Sequence, residues 1–380
     1  MSSLKILVVP DKFKGTLSAR EAAESIARGW KKIRPQDHLD LLPMSDGGDG
    51  FGEVLSNLIG ATPQAIQTMD AAHRSLRAAW WWEAKTRTAV VESARIVGLA
   101  MLPPGKFHPF QLDTAGLAKV LEAAAQRGAR KCFIGIGGSA TNDGGFGLAR
   151  ALGWSFMGRN GDELAEWWQL SQLKKIVRPR TGAGFGAMKM TVAVDVQNLL
   201  LNSGGCSRVY GPQKGLRPED MPVAEKALRR LAAVTKNLLK FDFARKPGAG
   251  AAGGLGFGLM AFAGAIPESG FEIFARLAAL EKRIRSADLV MTGEGALDRQ
   301  TLMGKGVGQI ALRCRKLGVS CLGLAGIVTE PEKAGELFTR AQGLVEITSV
   351  ENAKKFPARF LEKLSAQMAR TDADHHAASP

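Results

Sequence analysis

The sequence predicts an α/β protein of two domains, and three observations carry that prediction. Short continuous apolar runs recur, as in Ile6–Pro10, Cys132–Ile136 and Ala287–Met291, and such runs mark strands buried on both faces. Each run stops at a loop of glycines and polar residues, and helical spacing follows. The 45 glycines cluster in these loops without a period, which excludes collagen-like and low-complexity chains. A chain of 380 residues suits two domains of roughly 100–200 residues each.

Ile6–Pro10 leads into a loop that ends at Ser18, which forms a capping box with Glu21. Ala22, Ile26, Trp30 and Ile33 then recur at helical spacing until Pro35. Asp11, Lys14 and Gly15 therefore sit in a strand-to-helix loop, the edge at which α/β sheets bind ligands. Leu39–Pro43 reads as a second strand and ends in Ser45-Asp46-Gly47-Gly48-Asp49-Gly50. This is not an EF-hand, because the twelfth residue counted from Asp46 is Asn57 instead of Glu; a magnesium- or phosphate-facing loop fits better. A helix follows over Phe51–Ile59.

Leu76–Glu83 and Thr88–Glu92 read as an antiparallel hairpin, with Trp80, Trp81 and Trp82 as packing residues on a pleated surface. A helix over 114–126 closes at Gly128. The run Cys132–Ile136 then enters Gly137-Gly138, Ser139, Thr141, Asn142, Asp143 and Gly144-Gly145, before a helix carrying Leu148, Ala149, Leu152 and Trp154 on one face. Strand, glycine turn and helix together make a phosphate cradle, because backbone N–H groups and the helix N-terminus point at the same anion.

Met190–Val196 reads as a strand with Asp195 near its end and Asn198 just beyond, a position suited to a catalytic carboxylate. Gly211–Gly215 holds Lys214 between glycines, and a long helix starts at Pro218. In Pro247–Gly258, Ala, Leu and Phe stand where a flexible linker would have Ser, which predicts close packing or ligand approach. Past Ala287–Met291 come Thr292-Gly293-Glu294-Gly295, Asp298, Thr301 and Gly304-Lys305-Gly306. A helix over 307–317 and strands over 319–325 and 344–348 complete the alternation, and the tail from Thr371 reads as disordered. Strand-plus-glycine-loop units recur at both ends of the chain. The expected organisation is one discontinuous α/β domain over 1–75 and 285–370, a second α/β domain inserted over 76–284, and a disordered tail over 371–380.

The formal net charge is +15, with a sequence pI near 9.8. The basic residues are scattered, without a block or interleaved aromatics, which disfavours nucleic acid and favours a small anionic substrate. The four cysteines lack C-x-x-C spacing, which disfavours structural zinc. No 18-residue apolar run exists and Met1 opens no leader pattern, so a soluble cytoplasmic protein with no membrane partner is expected.

Lys14, Lys214 and Lys305, with Asp46, Asp143, Asp195 and Glu294, all stand in or beside glycine loops. Point charges for phosphate oxygens and carboxylates for magnesium or proton abstraction are the parts phosphoryl transfer needs. A Walker A loop is absent: Arg299 stands where its first Gly would be, and Gly306 replaces the Ser or Thr after Lys305. One alternative is an NAD(P)-dependent dehydrogenase built on Gly135-x-Gly137-x-x-Ala140 with Asp162 or Glu163 further on. A basic nucleic-acid-binding protein is a more distant one.

DKFKGTLSA (Asp11–Ala19), PMSDGGDG (Pro43–Gly50), GIGGSATNDGG (Gly135–Gly145), GPQKG (Gly211–Gly215), GAGAAGGLG (Gly248–Gly256) and TGEGALDRQTLMGKG (Thr292–Gly306) together resemble the motif series of the type I glycerate kinase family. The resemblance implies ATP- and Mg²⁺-dependent phosphorylation of D-glycerate to 2-phosphoglycerate, or to 3-phosphoglycerate. It also implies a flavodoxin-like three-layer α/β/α domain built from both termini, an inserted mixed α/β domain, and an active site in the cleft between them. On this reading Asp195 is the base or orienter of the acceptor hydroxyl. Lys14 and Lys214 hold the substrate carboxylate and the transferring phosphoryl, and Lys305 holds the nucleotide phosphates. Asp46 and Glu294 are the magnesium candidates, while Asp143 meets the metal or caps the helix behind it. Asp11, Gly15, Gly47, Gly48, Gly137, Gly138, Ser139, Thr141, Asn142, Asn198, Gly293, Gly295, Asp298 and Thr301 complete the expected substrate and phosphate contacts. The chain departs from the family pattern at Val194–Leu200, where a Cys and a Pro are missing. It departs again at Asp70-Ala71-Ala72-His73-Arg74, where the family tends to read Asp-Pro-Leu-Gly-Arg, and at Asp49, where a Glu is usual.

Overall fold

The computed structural model describes residues 3–180, 185 and 187–377. In chain order its strands are β1 (Lys5–Pro10), β2 (His38–Leu41), β3 (Thr62–Met69), β4 (Ser75–Glu83), β5 (Thr88–Glu92) and β6 (Lys131–Gly135). These are followed by β7 (Ser155–Met157), β8 (Lys175–Val177), β9 (Lys189–Ala193), β10 (Ile266–Glu268), β11 (Leu289–Leu297), β12 (Ser320–Val328) and β13 (Arg340–Gly343). The chain divides into two compact units, one made of residues 1–45 with 274–380 and the other of 46–273.

The first unit holds a five-stranded parallel sheet in the order β13-β12-β11-β1-β2. Counted within the unit this is 2-1-3-4-5, the flavodoxin-like order, with its switch point between β1 and β11. Ile6, Val8, Met291, Leu322 and Leu324 share a core with Ala22, Ile26 and Trp30 of the helix Ala19–Ile33 and with Leu361, Leu364 and Met368 of the helix Pro357–Ala377. Leu7, Val9 and Val290 on the alternate positions are buried too. Both faces are covered, which is why these strands read as unbroken apolar runs. The predicted capping box is present: Ser18 Oγ accepts from Glu21 N, and Glu21 Oε2 accepts from Ser18 N at 2.8 Å.

The second unit holds a six-stranded mixed sheet, β10-β9-β6-β5-β4-β3, parallel through β5 and antiparallel beyond it. The short antiparallel pair β7–β8 lies apart. The tryptophans of β4 are core residues, with Trp80 and Trp82 edge to face at 6.5 Å. Gly52 has no Cβ because one would lie 2.1 Å from the Trp81 ring, so the helix Phe51–Ile59 seats directly on β4.

Four expectations are corrected. The first segment of the discontinuous unit ends at Ser45 instead of residue 75, because β3 pairs with β4 from Thr62↔Trp82 to Met69↔Ser75. The second segment begins at Phe274 instead of 285. The strand expected over 344–348 is a 3₁₀ turn at Leu344–Glu346, and the edge strand is β13 just before it. The tail from Thr371 continues the helix Pro357–Ala377, and 378–380 lie outside the described residues. No helix among the described residues is long and apolar enough to cross a membrane.

Candidate active site

In the second unit, parallel pairing brings the C-terminal ends of β10, β9, β6 and β5 side by side, the edge where α/β sheets bind ligands. The loop Asp46–Gly50 lies across them. Gly137 N–H donates to Gly47 O at 3.2 Å, and a Cβ on Gly137 would fall 2.6 Å from Gly48 Cα. A Cβ on Gly47 would lie 3.1 Å from Ala193 Cβ at the end of β9. Gly137 is thus glycine because two backbones touch there, and Gly47 because its φ of 104° is left-handed and Ala193 lies close. Glu92, the buried last residue of β5, accepts from the N–H groups of Gly50 and Gly52, both at 2.9 Å, and so caps the helix Phe51–Ile59.

Asp195 follows β9 by two residues. Its Oδ1 accepts from Ser269 Oγ at 2.6 Å and its Oδ2 from Gly270 N at 3.0 Å, so both oxygens face the first turn of the helix Gly270–Leu277. Burial pushes the carboxyl up to about 6 against the lowering effect of the Ser269 hydrogen bond, and the charge on Asp46 adds to the rise. Asp46 is close because Gly270 lacks a side chain: a Cβ there would meet Asp46 O at 2.1 Å and Asp195 Oδ2 at 2.6 Å.

The turn after β6 is buried. Ser139 Oγ and Thr141 Oγ1 are 2.9 Å apart, and Asn142 Nδ2 donates to Ser207 Oγ at 2.9 Å, leaving the buried Asn142 Oδ1 without a partner among the described residues. Asp143 is fully enclosed. Its oxygens accept from Thr114 Oγ1 (2.7 Å), Thr114 N (3.0 Å), Gly147 N (2.9 Å) and Gly145 N (3.2 Å). Burial, reinforced by Asp113, raises this carboxyl to about 6. Of its two expected roles, these hydrogen bonds describe the helix cap.

Lys214 is also buried, and its ammonium donates to Thr141 O at 2.5 Å. Desolvation lowers it to about 8. The room it occupies comes from Gly253, where a Cβ would lie 1.9 Å from Thr141 O and 2.8 Å from Lys214 Nζ. Gly253 belongs to a left-handed run, Ala252, Gly253 and Gly254 with φ of 55°, 68° and 85°, at the start of the helix Ala251–Phe262. The glycine-dense segment is therefore a tightly packed kink and not a linker. Asn198 sits in the loop after β9, its Nδ2 donating to Gly204 O at 2.9 Å and its Oδ1 accepting from Tyr210 Oη at 2.8 Å.

The first unit assembles a separate set at its switch point. β1 and β11 pair up to Pro10↔Gly293, and Asp11 N then donates to Gly293 O at 2.8 Å. Lys14 is exposed on the loop after β1, its backbone N 3.2 Å from where a Cβ on Gly295 would be. Glu294 and Gly295 lie within β11, which runs on to Leu297, so the loop expected from Thr292 starts later. Thr301 Oγ1 donates to Glu294 Oε1 at 2.6 Å. Asp298 Oδ1 accepts from Gln300 N and Thr301 N at 2.8 and 3.2 Å, capping the helix Arg299–Leu302. Lys305 is exposed on a turn whose glycines, Gly304 and Gly306, have φ of 84° and 51°.

Ser269, Glu92 and Tyr210 escaped the sequence reading, since their partners lie 74, 42 and 12 residues away in the chain. The one available signal was an acidic residue closing an apolar strand, which Glu92 satisfies as Asp195 nearly does. The dinucleotide alternative loses its context. A fingerprint turn opens directly into its helix, whereas here the helix starts only at Phe146, and Asp162 and Glu163 lie by the detached β7–β8 pair. Among the described residues no three His, Cys, Asp or Glu side chains converge on a metal site.

Comparison with known proteins places the chain in one family. The sequence model described as the glycerate kinase family matches residues 6–373. A glycerate kinase of Bacillus subtilis (strain 168) is 35% identical over 376 residues, covering 96% of this chain and 97% of the relative. A glycerate 2-kinase of Escherichia coli (strain K12) is 35% identical over 331 residues, 86% of each chain. A crystal structure from Salmonella typhimurium LT2, described as a candidate glycerate kinase 2, shares 31% identity and covers 99% of this chain and 100% of that one with a TM-score of 0.82.

Proposed function

Since this chain belongs to the glycerate kinase family, we propose that it transfers the γ-phosphoryl group of ATP to a hydroxyl of D-glycerate, giving 2-phosphoglycerate or 3-phosphoglycerate. The observation that carries the chemical assignment is Asp195, a partly buried carboxylate held at both oxygens just past the C-terminal end of β9, among the parallel strands of its sheet. In the proposed step Asp195 takes the proton of the acceptor hydroxyl, the hydroxyl oxygen bonds to the γ-phosphorus, and the bond from that phosphorus to the β-phosphate bridging oxygen breaks to release ADP. Most of the catalysis is positioning and charge neutralisation.

The exposed Lys14 and Lys305 are the direct contacts for anionic oxygens, the substrate carboxylate and the nucleotide phosphates respectively. Lys214 acts from behind: its ammonium fixes the Thr141 carbonyl and places a positive charge under the Ser139–Thr141 hydroxyls. The carboxylates fit magnesium, which takes one or two protein carboxylates and completes its shell with phosphate and water. Asp46 of the second unit or Glu294 of the first would hold it. When bound it neutralises charge on the phosphoryl oxygens.

A coupled assay of ADP release with D-glycerate tests the reading directly. D-glycerate-dependent turnover is expected, and Asp195→Asn should reduce kcat by about 10²–10⁴-fold, the range of a lost general base. A purified, folded protein that releases no ADP with D-glycerate sinks it.

A further inference from the structure

Three side chains of one short segment grip two different loops of the second unit. Ser207 Oγ accepts from Asn142 in the turn after β6, and Lys214 Nζ donates to Thr141 O in the same turn, at 2.9 and 2.5 Å. Between them Tyr210 Oη donates to Asn198 Oδ1, three residues past Asp195, at 2.8 Å. The spacing of three and then four residues keeps all three on one side of the segment, which runs from the helix Cys206–Tyr210 through the turn Pro212–Lys214.

The Tyr210 contact has a chemical consequence. The Gly204 carbonyl can only accept, so Nδ2 is the end of the amide turned to it, at 2.9 Å, and the Tyr210 phenol holds the other end, Oδ1, as donor. An amide nitrogen carries two hydrogens, and Gly204 accepts one. Partial burial raises the Tyr210 phenol above its ordinary range, so it stays protonated and remains a donor at neutral pH.

We propose that Tyr210 is a positioning residue for the acceptor substrate: it orients the Asn198 amide so that its second Nδ2 hydrogen meets an oxygen of the hydroxy acid beside Asp195. The inference rests on the kinase reading above and assigns to that site a residue no sequence motif marked.

Tyr210 is the only tyrosine in the chain, so full-length protein labelled with ¹³Cζ-tyrosine gives a single NMR resonance to follow. Saturating D-glycerate should move that resonance. Tyr210→Phe should lower kcat/KM for D-glycerate about tenfold, the scale of one hydrogen bond, with KM for ATP and the melting temperature unchanged. In an Asn198→Ala background the same substitution should add nothing, because the effect runs through the amide. Turnover by the wild-type protein with an unshifted resonance, or with Tyr210→Phe kinetically silent, overturns this inference alone. Absence of wild-type turnover overturns the kinase reading and this inference with it. If Tyr210→Phe fails to fold, the wild-type resonance still decides.

Discussion

At the scale of single residues, His73 shows how a departure from the family pattern is accommodated. It adopts φ of 60°, a left-handed conformation that costs a non-glycine residue about 1 kcal/mol or more, and it stands where the family tends to have Gly. In return its Nε2 lies 3.2 Å from Asp113 Oδ2, and that hydrogen bond raises the imidazole above its ordinary value. The protonated form is favoured by folding. The contribution is therefore complete below the unfolded pKa of about 6.5 and disappears as pH rises through the raised folded pKa. About half of the side chain is exposed, so the gain stays below about 1 kcal/mol. We expect His73→Gly to flatten the melting-temperature difference between pH 6 and pH 8.5 that the wild-type protein shows, and an unchanged difference would refute the pairing. Some of this scale was legible. Asp195 announced itself at the end of an apolar strand, and Ser18 with Glu21 at a helix start. The role of Asp143 was not, because the partner that separates a cap from a ligand, Thr114, comes from 29 residues away.

Among the elements, the left-handed run Ala252-Gly253-Gly254 is the one the sequence located without describing. Composition alone says that backbone comes close there; only the fold says that it meets Thr141 and Lys214. Gly161 separates the two reasons for glycine, since it has φ of 85° with open space around it, whereas Gly253 has φ of 68° and a carbonyl 1.9 Å from its absent Cβ. Gly161→Ala should cost about 1–2 kcal/mol, the left-handed penalty alone. Gly253→Ala should cost several kcal/mol and reduce turnover, since strain and overpacking add. Equal losses in chemical denaturation would show that the close contact does not matter. The missed β3 has its own explanation: seven of its eight positions are partly or fully exposed, five of them Thr, Pro, Gln or Ala on a sheet edge, and an edge strand need not carry an apolar run. Likewise β11 outlasts its apolar stretch because β12 continues beside it to Leu297↔Val328, and a neighbour can hold Gly-Glu-Gly extended where propensity alone would not.

For the molecule as a whole, the alternation of apolar runs and glycine loops was enough to read an α/β protein, and the ordered motifs were enough to read its family. Domain edges were harder, because a boundary is set by which sheet a strand joins, and β3 gives little sign of belonging with β4. The most far-reaching feature is the position of β1. It sits inside its sheet, yet one neighbour, β11, follows it by 283 residues, as Ile6↔Leu289 records. During synthesis at roughly 5–20 residues per second, the first strand waits for tens of seconds before that neighbour exists. The residues 46–273, by contrast, contain every strand of their own sheet and can close it first. A ribosome-stalled chain ending shortly after Phe274 has emerged should therefore protect 46–273 from protease while 1–45 is cut. The run Ile6–Pro10 is thus made long before its sheet can close over it, and in that interval this strand, rather than the middle of the chain, is the segment open to aggregation.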